Sequence, residues 1–419
     1  MPVIPPDLLN RLPLLSRTAV PPSTIEVSHG NAITLLKNGG ELFPAMVAAI
    51  DSATHDVCIE TYIFCDDAAG ELIANALKSA ARRGVSVRVV VDGIGMGATP
   101  PLFLDALKQA GVELAIFRPE REFFSLRRSR LRRMHRKISL IDGRIGFVGG
   151  INLLDDMTDA LSTTHPRYDY AVKIEGPLLA DIYLAVNRLW RVLSRAKLQR
   201  KESQFNQFQP ARAFYVPGNI AAVGTMNAKF LVRDNFRFRR AIEQEYLAAI
   251  SAAQKNILMV SPYFLPGRAM RHALRDAAKR GVGVTLLLQG RADHPLMQLA
   301  TRALYDQLLV AGVQLYEYGV SMLHGKVAVI DDEWATVGSS NLEPFSLLLN
   351  REANVIVLDS KFALELRDSV LAEIAANAGQ MKVTDWQHRS RWARIQSWSA
   401  YGLAKFIAGW IGFKNEWRG

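Results

Sequence analysis

The feature that most constrains the fold of this chain is an internal duplication. The segment LKSAARRGVSVRVVVDG (residues 77–93) matches LRDAAKRGVGVTLLLQG (residues 274–290). Each indicates the end of an amphipathic helix, a glycine stop and a buried strand. A strand ending in aromatic residues precedes each segment, and an AGV turn into another strand follows each. The order β, α, β, α, β therefore occurs twice, which predicts an α/β protein of two pseudo-twofold-related α/β/α sandwich halves with mixed β-sheets.

The duplication also sets the expected domain boundaries. The two halves are expected at residues 26–197 and 226–380, joined at 198–225 by a polar segment without helical periodicity. Four prolines before residue 14 favour an irregular N-terminal arm at 1–25 rather than a signal peptide. A Trp-rich amphipathic tail is expected at 381–419.

The two halves differ in length at one place. The spacing from Gly111 to His135 is 24 residues, whereas the equivalent spacing from Gly312 to His324 is 12. The first half therefore carries a basic insertion, whose end runs into the sequence RRSRLRRMHRK. We expect its arginines, with Arg132 and Arg133 nearest the motif, to gather anionic groups at a site entrance; a solvated charged loop is the alternative.

The composition favours anionic partners but does not identify which kind of anionic partner binds. The 419 residues are 49% hydrophobic and 22% charged, as expected of a globular protein, and the net charge is +11. This charge favours nucleic acid, anionic lipid or a phosphorylated substrate. The two cysteines, Cys58 and Cys65, form neither a disulfide framework nor a zinc motif and suggest a reducing cytoplasmic compartment.

Both halves contain the same spaced motif. The first half has His135, Lys137 and Asp142, and the second has the same residue types with the same spacing at His324, Lys326 and Asp331. An asparagine follows each histidine by 17 residues. These asparagines lie in small-residue segments that we expect to contact substrate, and their members are Gly150, Asn152, Ser339, Ser340 and Asn341.

The spacing has a simple geometric interpretation. Side chains alternate along a strand, so His135 and Lys137 share one face. Asp142 and Gly143 indicate a type I′ hairpin turn, so the next strand folds back and returns Asn152 to the end where His135 lies. Asp142 and its counterpart then fall on the opposite face, at the turn, where we expect a structural role.

Two histidines, two lysines and two asparagines suit the chemistry of a phosphodiester. Lysine and asparagine side chains can hold the non-bridging oxygens as charge develops. One neutral histidine can attack phosphorus, and the other can protonate the leaving oxygen and later accept a proton from the incoming hydroxyl. We favour His135 as the nucleophile. No metal or other cofactor is required.

These motifs resemble those of the phospholipase D superfamily. Longer stretches, RRMHRKISLIDGRIGFVGGIN and LHGKVAVIDDEWATVGSSNLEPFSLLLNREANV, are similar to bacterial cardiolipin synthases of the B type, over about residues 26–380. The resemblance implies a phosphatidyltransferase that makes cardiolipin from phosphatidylglycerol through a phosphohistidine, with release of glycerol. Phosphatidylethanolamine is an alternative donor. It further implies a peripheral protein on the cytoplasmic face of the bacterial inner membrane.

The resemblance also implies an acidic residue behind each histidine. Glu352 matches the position in the second half, and Asp169 is its counterpart in the first. The pairing between acids and histidines is not fixed by the sequence. Polar and aromatic residues at strand ends are expected to line the site entrance, and they are Glu60, Tyr62, Ser261 and Tyr263.

The C-terminal tail favours a membrane partner over nucleic acid. Five of the seven tryptophans stand at or after residue 386, and residues 395–413 are largely apolar. As a helix this stretch would be roughly 28 Å long, but Lys405 at the bilayer centre would cost about 2.5–3.5 kcal/mol. We therefore expect a helix lying in the membrane interface, flanked by Arg389, Arg391, Arg394 and Lys414, and no membrane span.

Three alternatives remain open from the sequence. The tail could pack on the surface of the protein itself. A phospholipase D-type phosphodiesterase could hydrolyse lipid or cut nucleic acid, although we expect no nucleic-acid partner. A non-enzymatic protein that only binds anionic membranes is disfavoured, because both motifs are intact.

Overall fold

The computed structural model describes residues 25–119, 132–157, 164–199, 220–234, 238–291, 294–343 and 350–410. The basic insertion, nearly all of the N-terminal arm, most of the linker and the last residues of the tail lie outside these ranges.

In the first half strands and helices alternate as far as the fourth strand, and three further strands and a helix follow. Its strands are β1 (Ser28–Lys37), β2 (Asp56–Thr61), β3 (Ser86–Asp92), β4 (Glu113–Phe117), β5 (Lys137–Ile141), β6 (Ile145–Gly149) and β7 (Tyr170–Glu175). Its helices are α1 (Asn38–Asp51), α2 (Ala68–Arg82), α3 (Pro101–Gln109) and α4 (Leu179–Gln199).

The second half repeats this order and adds a C-terminal extension. Its strands are β8 (Met226–Arg233), β9 (Asn256–Ser261), β10 (Gly283–Gln289), β11 (Gln314–Tyr318), β12 (Val327–Ile330), β13 (Trp334–Gly338), β14 (Glu352–Leu358) and β15 (Ala378–Met381). Its helices are α5 (Ala241–Ala252), α6 (Arg268–Lys279), α7 (Pro295–Arg302), α8 (Tyr305–Val310), α9 (Ser360–Asn377), α10 (Val383–Gln387) and α11 (Arg391–Trp410).

All the described strands belong to one mixed sheet. Their order is β15-β11-β10-β9-β12-β13-β14-β8-β1-β7-β6-β5-β2-β3-β4. In each half three strands are parallel, and a hairpin and further antiparallel strands extend them toward the middle. The antiparallel pairing of β1 with β8 joins the halves. The prediction of two equivalent halves with mixed sheets is confirmed.

The junctions that revealed the duplication have a local cause. Helices α2 and α6 each end at a glycine with positive φ, Gly84 (φ 89) and Gly281 (φ 91). A residue with a side chain is strained in this conformation, which is why glycine closes both helices before the next strand. Asp67 caps the start of α2, because its carboxylate accepts a hydrogen bond from the backbone N–H of Gly70 at 2.9 Å.

Three large hydrophobic clusters fill the molecule. One lies between the first half's sheet and α1, α2 and α3, and another between the second half's sheet and its helices α5 to α8. The third, which we call the shared core, takes residues from both halves, including Val172 on β7, Val355 on β14, Leu179 on α4 and Leu366 on α9. The halves are therefore packed as one body through a common interior.

The motif hairpins turn as predicted. Asp142 (φ 49) and Gly143 (φ 58) both have the positive φ of a type I′ turn, and Arg144 N–H donates to the carbonyl of Ile141 at 2.9 Å. In the second half the same two positions are Asp331 (φ 53) and Asp332 (φ 60).

The C-terminal tail is folded onto the second half. Strand β15 pairs with β11, so the sheet continues across the boundary expected at residue 380. Helix α11 packs on the second half's core through Ala400, Tyr401 and Ala404. Trp386 is only 9% exposed, which differs from the expected position at headgroup depth, because its ring packs 4.8 Å from that of Tyr305.

The opposite face of α11 is apolar and exposed. Trp392 is 74% exposed and Phe406 is 68% exposed, and Ile395 and Leu403 lie on the same side of the helix. Within the described ranges, no helix combines the length and the hydropathy needed to cross a bilayer.

Candidate active site

Short extended segments of the two halves meet between the motifs. Met134 forms a parallel bridge with Arg351, and the N–H of His135 donates to the carbonyl of Arg351 at 2.9 Å. The equivalent bridge joins Tyr168 to Leu323, and the N–H of His324 donates to the carbonyl of Tyr168 at 2.8 Å. Each histidine is thereby held beside the residue that precedes the acid of the other half.

This arrangement pairs histidines and carboxylates across the pseudo-twofold axis. His135 Nδ1 lies 3.1 Å from Oε2 of Glu352, and His324 Nδ1 lies 2.5 Å from Oδ2 of Asp169. Each carboxylate can fix the ring that it contacts, so that Nε2 is the nitrogen left to react. The structure thus answers the pairing question that the sequence left open.

The two lysines occupy equivalent positions, each beside the histidine of its own half. Lys137 Nζ donates to the carbonyl of His135 at 2.8 Å, and Lys326 Nζ donates to the carbonyl of His324. Both ammonium groups lower the pKa of both histidines, so their charges act across the interface between the halves. Burial lowers the pKa of Lys137 to about 7. An anionic phosphodiester bound between the lysines would oppose this effect of burial and favour the charged ammonium groups.

The two carboxylates differ in their preferred protonation. Burial would raise the pKa of Glu352, but His135, Lys137 and the Ser339 hydroxyl lower it below its usual value. Burial instead raises the pKa of Asp169 to about 7, although Lys326 and the N–H of Tyr170 oppose this. The acid behind His135 is thus an anion at neutral pH, whereas the acid behind His324 retains a proton up to near neutrality.

The surroundings of both histidines favour the neutral form. Burial lowers the pKa of His135, and Glu352 partly offsets this. Burial together with Lys326, Lys137 and Arg167 lowers the pKa of His324 much further. An anionic group between the histidines would reverse the contribution of these cations.

The residue that follows β6 and the residue that follows β13 each lie against the carboxylate of their own half. A Cβ on Gly150 would lie 2.3 Å from Oδ1 of Asp169, so this position has no room for a side chain. The equivalent Ser339 donates from Oγ to Oε2 of Glu352 at 2.6 Å. The sequence predicted substrate contacts for both residues, whereas the structure places both against the carboxylates.

Three polar side-chain atoms beside the second motif lack a partner within the described residues. Ser340 Oγ, Asn341 Oδ1 and Glu352 Oε1 are buried and have no hydrogen-bond partner among the described residues. Buried polar groups in folded proteins are nearly always paired, so a bound polar group is expected here. The equivalent Asn152 differs, since its Oδ1 accepts a hydrogen bond from the N–H of Ile63 at 3.2 Å.

The residues expected to line the site entrance have different positions in the structure. The ring of Tyr62 packs edge-on against that of His135 with centroids 5.0 Å apart. Glu60 is instead fully buried and bound to Arg136 at 2.7 Å. Tyr263 packs against His294, with centroids 5.6 Å apart, and the hydroxyl of Ser261 donates to the carbonyl of Tyr263 at 2.8 Å.

The two arginines nearest the first motif also have different environments. Arg133 is buried and its Nε and Nη2 bind Oδ1 of Asp92 at 2.8 and 2.5 Å, so it does not lie open at an entrance as expected. Arg132 is partly exposed. The other arginines of the insertion lie outside the described residues.

Sequence reasoning missed Asp92. Besides Arg133, its carboxylate accepts a hydrogen bond from the N–H of Met134 at 2.8 Å, and so it holds the segment that leads into His135. The available signal was its position at the carboxyl end of β3, the edge where functional groups of parallel strands gather.

Comparison with known proteins defines the family. The family model described as "Cardiolipin synthase, PLD-like domain" matches residues 46–190 and 246–372, one match in each half. Cardiolipin synthase B of Shigella flexneri is 38% identical over 398 residues, which cover 91% of this chain and 91% of that protein. Cardiolipin synthase B of Escherichia coli (strain K12) gives the same values. This chain belongs to the phospholipase D-like cardiolipin synthases.

As a member of the cardiolipin synthase family the chain is an enzyme, and the two segments matched by the family model each contain one complete histidine motif. A solved structure with the same fold is phosphatidylserine synthase of Haemophilus influenzae, with a TM-score of 0.65 at 15% identity, covering 90% of this chain and 94% of that one. At this identity the likeness establishes the fold alone.

Proposed function

We propose that this enzyme transfers a phosphatidyl group from one phosphatidylglycerol to a hydroxyl of a second, forming cardiolipin and releasing glycerol through a covalent phosphohistidine. The observation that carries the proposal is the pair of histidines, each backed by a carboxylate of the other half, with a lysine beside each. A site with two imidazoles can supply a nucleophile and an acid at once.

In the first step Nε2 of His135 attacks the donor phosphorus. The N–P bond forms as the bond from phosphorus to the glycerol oxygen breaks, and the leaving oxygen takes a proton from Nε2 of His324. In the second step the hydroxyl of the acceptor lipid attacks phosphorus and gives its proton back to His324. The N–P bond breaks, which regenerates neutral His135. Lys137 and Lys326 neutralise the non-bridging oxygens in both steps.

The difference between the carboxylates supports His135 as the nucleophile. An anionic Glu352 holds the Nδ1–H tautomer of His135 and leaves the Nε2 lone pair free for attack. The Asp169–His324 pair retains a proton up to near neutral pH, which suits the group that protonates the leaving oxygen. Binding of the phosphodiester adds the negative charge that favours a protonated His324.

Trapping the intermediate tests this assignment. Purified enzyme with phosphatidylglycerol labelled in phosphate should form cardiolipin and carry an acid-labile label on His135. His135→Gln should lose the label, whereas His324→Gln should retain labelled enzyme that turns over at least a thousandfold more slowly. A label confined to His324 would reverse the assignment. Cleavage of DNA without any lipid product would instead support the nuclease alternative.

We further propose that the exposed face of α11 lies on the membrane, placing the enzyme peripherally on the cytoplasmic face of the bacterial inner membrane. One side of the helix is fixed to the protein, so the apolar side that carries Trp392, Ile395 and Phe406 faces outward. Exposed Arg391 and Arg394 at the start of the helix suit anionic headgroups.

Vesicle co-sedimentation tests the membrane proposal. Trp392→Ser combined with Phe406→Ser should reduce binding to phosphatidylglycerol vesicles at least tenfold, because it removes most of the inserted apolar area. Leu102→Ser is the matched control, since Leu102 is 81% exposed on α3, far from α11 in sequence, and should bind as the wild type does. Equal binding by all three proteins would contradict the proposal.

A further inference from the structure

Three arginines break the pseudo-symmetry beside His135. Arg118 follows β4, Arg132 precedes the first motif by three residues, and Arg351 precedes Glu352. The positions equivalent by the duplication hold a glycine, a serine and a tyrosine, namely Gly319, Ser321 and Tyr168. A difference at all three positions of one cluster indicates a function that only the first half's side performs.

The three arginines form one group. The guanidinium groups of Arg118 and Arg351 lie 5.4 and 5.9 Å from the centre of the Phe117 ring. Arg118 Nη1 also donates to the carbonyl of Arg132 at 3.2 Å. The carbonyl of Arg351 accepts the N–H of His135 at 2.9 Å, so the backbone of the group is joined to that of the first histidine.

On the other side of the axis the same location is closed by its own hydrogen bonds. Tyr168 stacks on Tyr318 with ring centroids 5.5 Å apart. The Tyr168 hydroxyl lies 2.7 Å from that of Tyr170, and the Tyr318 hydroxyl contacts Ser321 at 3.2 Å. The Tyr318 hydroxyl also donates to Oε1 of Glu373 at 3.3 Å, and Glu373 is paired with Lys37 at 2.9 Å, so the charge beside this cluster is already matched.

The three arginines differ from their neighbours in how closely carboxylates approach them. Glu60 and Asp234 act on Arg351, and Asp92 acts on Arg118, without forming ion pairs with them. Arg133 and Arg136 form ion pairs with Asp92 and Glu60. By contrast, no carboxylate among the described residues forms an ion pair with Arg118, Arg132 or Arg351.

Two further observations point to a ligand. Nε of Arg351 is buried without a hydrogen-bond partner in the described part of the chain. Arg118 has a φ of 51, a left-handed conformation that is costly for an arginine. Burial and neighbouring arginines lower the pKa of Arg351 to about 10, although Glu60 and Asp234 oppose this. Burial and neighbouring arginines also lower the pKa of Arg118 against the effect of Asp92, so an anion among the arginines would be stabilised.

We infer that Arg118, Arg132 and Arg351 bind the non-reacting phosphate of the acceptor phosphatidylglycerol. The inference rests on the proposed function, in which the donor phosphate occupies the space between the histidines. The acceptor brings a second phosphate a few bonds away from its attacking hydroxyl, and the backbone of Arg351 is hydrogen-bonded to the histidine that carries the phosphatidyl group. Guanidinium groups match phosphate oxygens in pairs. The cluster thereby selects an anionic lipid alcohol over glycerol or water.

One reaction mixture can separate acceptor binding from the chemistry. Phosphatidylglycerol supplied with labelled glycerol yields labelled phosphatidylglycerol when glycerol is the acceptor and cardiolipin when the lipid is the acceptor. Both products require the same donor and the same phosphohistidine. In Arg118→Gln and Arg351→Gln the ratio of cardiolipin to labelled phosphatidylglycerol should fall about tenfold or more. Arg351→Lys should give an intermediate ratio, and Arg144→Gln, an exposed arginine at the motif turn, should leave it unchanged.

A measurement on the wild type keeps the inference independent of how the variants fold. Racemic glycerol phosphate should be a better acceptor than glycerol by about tenfold or more in kcat/KM. Equal use of the two acceptors, an unchanged product ratio in both glutamine variants, or an equal loss of both products would overturn the inference. Absence of both products with the wild type would instead refute the proposed function.

Discussion

The two histidines differ most in the side chains that hold their carboxylates. Glu352 receives a hydrogen bond from the Ser339 hydroxyl at 2.6 Å, whereas Asp169 has only Gly150 at the equivalent position and receives the backbone N–H of Tyr170 at 2.8 Å. A longer acid with a hydroxyl donor and a shorter acid against a glycine fill similar space. The pKa of Glu352 is nevertheless lowered, whereas the pKa of Asp169 is raised.

Removing the Ser339 hydroxyl should move the pH dependence of catalysis. The hydrogen bond from Ser339 is one of the interactions that lower the pKa of Glu352. In Ser339→Ala this pKa rises, so Glu352 becomes protonated at a higher pH and the orientation of His135 is lost there. The acidic limb of the kcat/KM profile should therefore shift to higher pH, which a pH–rate series would show.

Ser340→Ala is the companion variant for this test. Its hydroxyl has no partner among the described residues, so its loss should change kcat/KM by a similar factor at every pH and leave the acidic limb in place. The same displacement of the limb in both variants would show that Ser339 does not act through Glu352.

At the scale of single residues, the sequence predicts which residues form the site better than it predicts which side chains contact each other. Spacing identifies His135, Lys137 and their counterparts, because alternation along a strand is a local property. The partner of each histidine depends on which extended segments of the two halves meet, a contact between residues far apart in the chain. The ion pairs of Glu60 and Arg133 escaped prediction for the same reason, since each joins separate elements.

Among the secondary-structure elements, each motif hairpin is hydrogen-bonded through its turn aspartate to the start of a neighbouring strand. The Asp142 carboxylate accepts hydrogen bonds from the backbone N–H groups of Thr54, His55 and Asp56 at 2.8 Å each. Asp331 does the same for Gln254, Lys255 and Asn256 at 2.8, 2.7 and 3.0 Å. Each aspartate thus ties the turn of its hairpin to the start of the neighbouring antiparallel strand, β2 or β9. We propose that both act on the fold rather than on the substrate.

Asp142→Ala should therefore cost stability more than turnover. It leaves three N–H groups without their acceptor, so the free energy of unfolding should fall by about 2–4 kcal/mol at pH 7. Backbone hydrogen bonds lower the pKa of Asp142 against the effect of burial. Its contribution is hence complete above its ordinary pKa of 3.8 and fades as the pH falls through the lower pKa of the folded state.

Urea unfolding, with turnover measured per folded enzyme, tests this role. Turnover should fall less than tenfold, whereas His135→Gln should abolish it. Asp331→Ala should behave like Asp142→Ala. Asp105→Ala, which removes an exposed ion pair with Lys108, should change the unfolding free energy by less than about 1 kcal/mol. A thousandfold loss of turnover in stably folded Asp142→Ala would place this carboxylate in the chemistry.

At the scale of the whole molecule, the shared core makes the two halves one cooperative unit. Val172 on β7 and Val355 on β14 occupy equivalent positions, and both are fully buried in that cluster. The continuous sheet through β1 and β8 adds a second connection. The sequence reveals the duplication but not the packing of the two halves around a shared core. Hydrophobic periodicity shows which face of an element is buried but not which element covers it.

Val172→Ala and Val355→Ala should each lower the temperature of a single unfolding transition. The loss of two buried methyl groups costs about 2 kcal/mol in either half. Differential scanning calorimetry should show one peak for the wild type and for both variants. Two separable peaks, with only one of them displaced by each substitution, would show that the halves unfold independently.

The crossed carboxylates have a consequence for how such a molecule could arise. A chain that held one copy of the half would carry a histidine and an acid that cannot reach each other, and it would complete its site only by associating with an identical chain. Every residue would then appear on both sides of the axis. Fusion of two such copies would remove this constraint, so that one side could acquire arginines while the other acquired tyrosines. Two copies that had to be alike could in this way become a pair specialised for two unequal substrates.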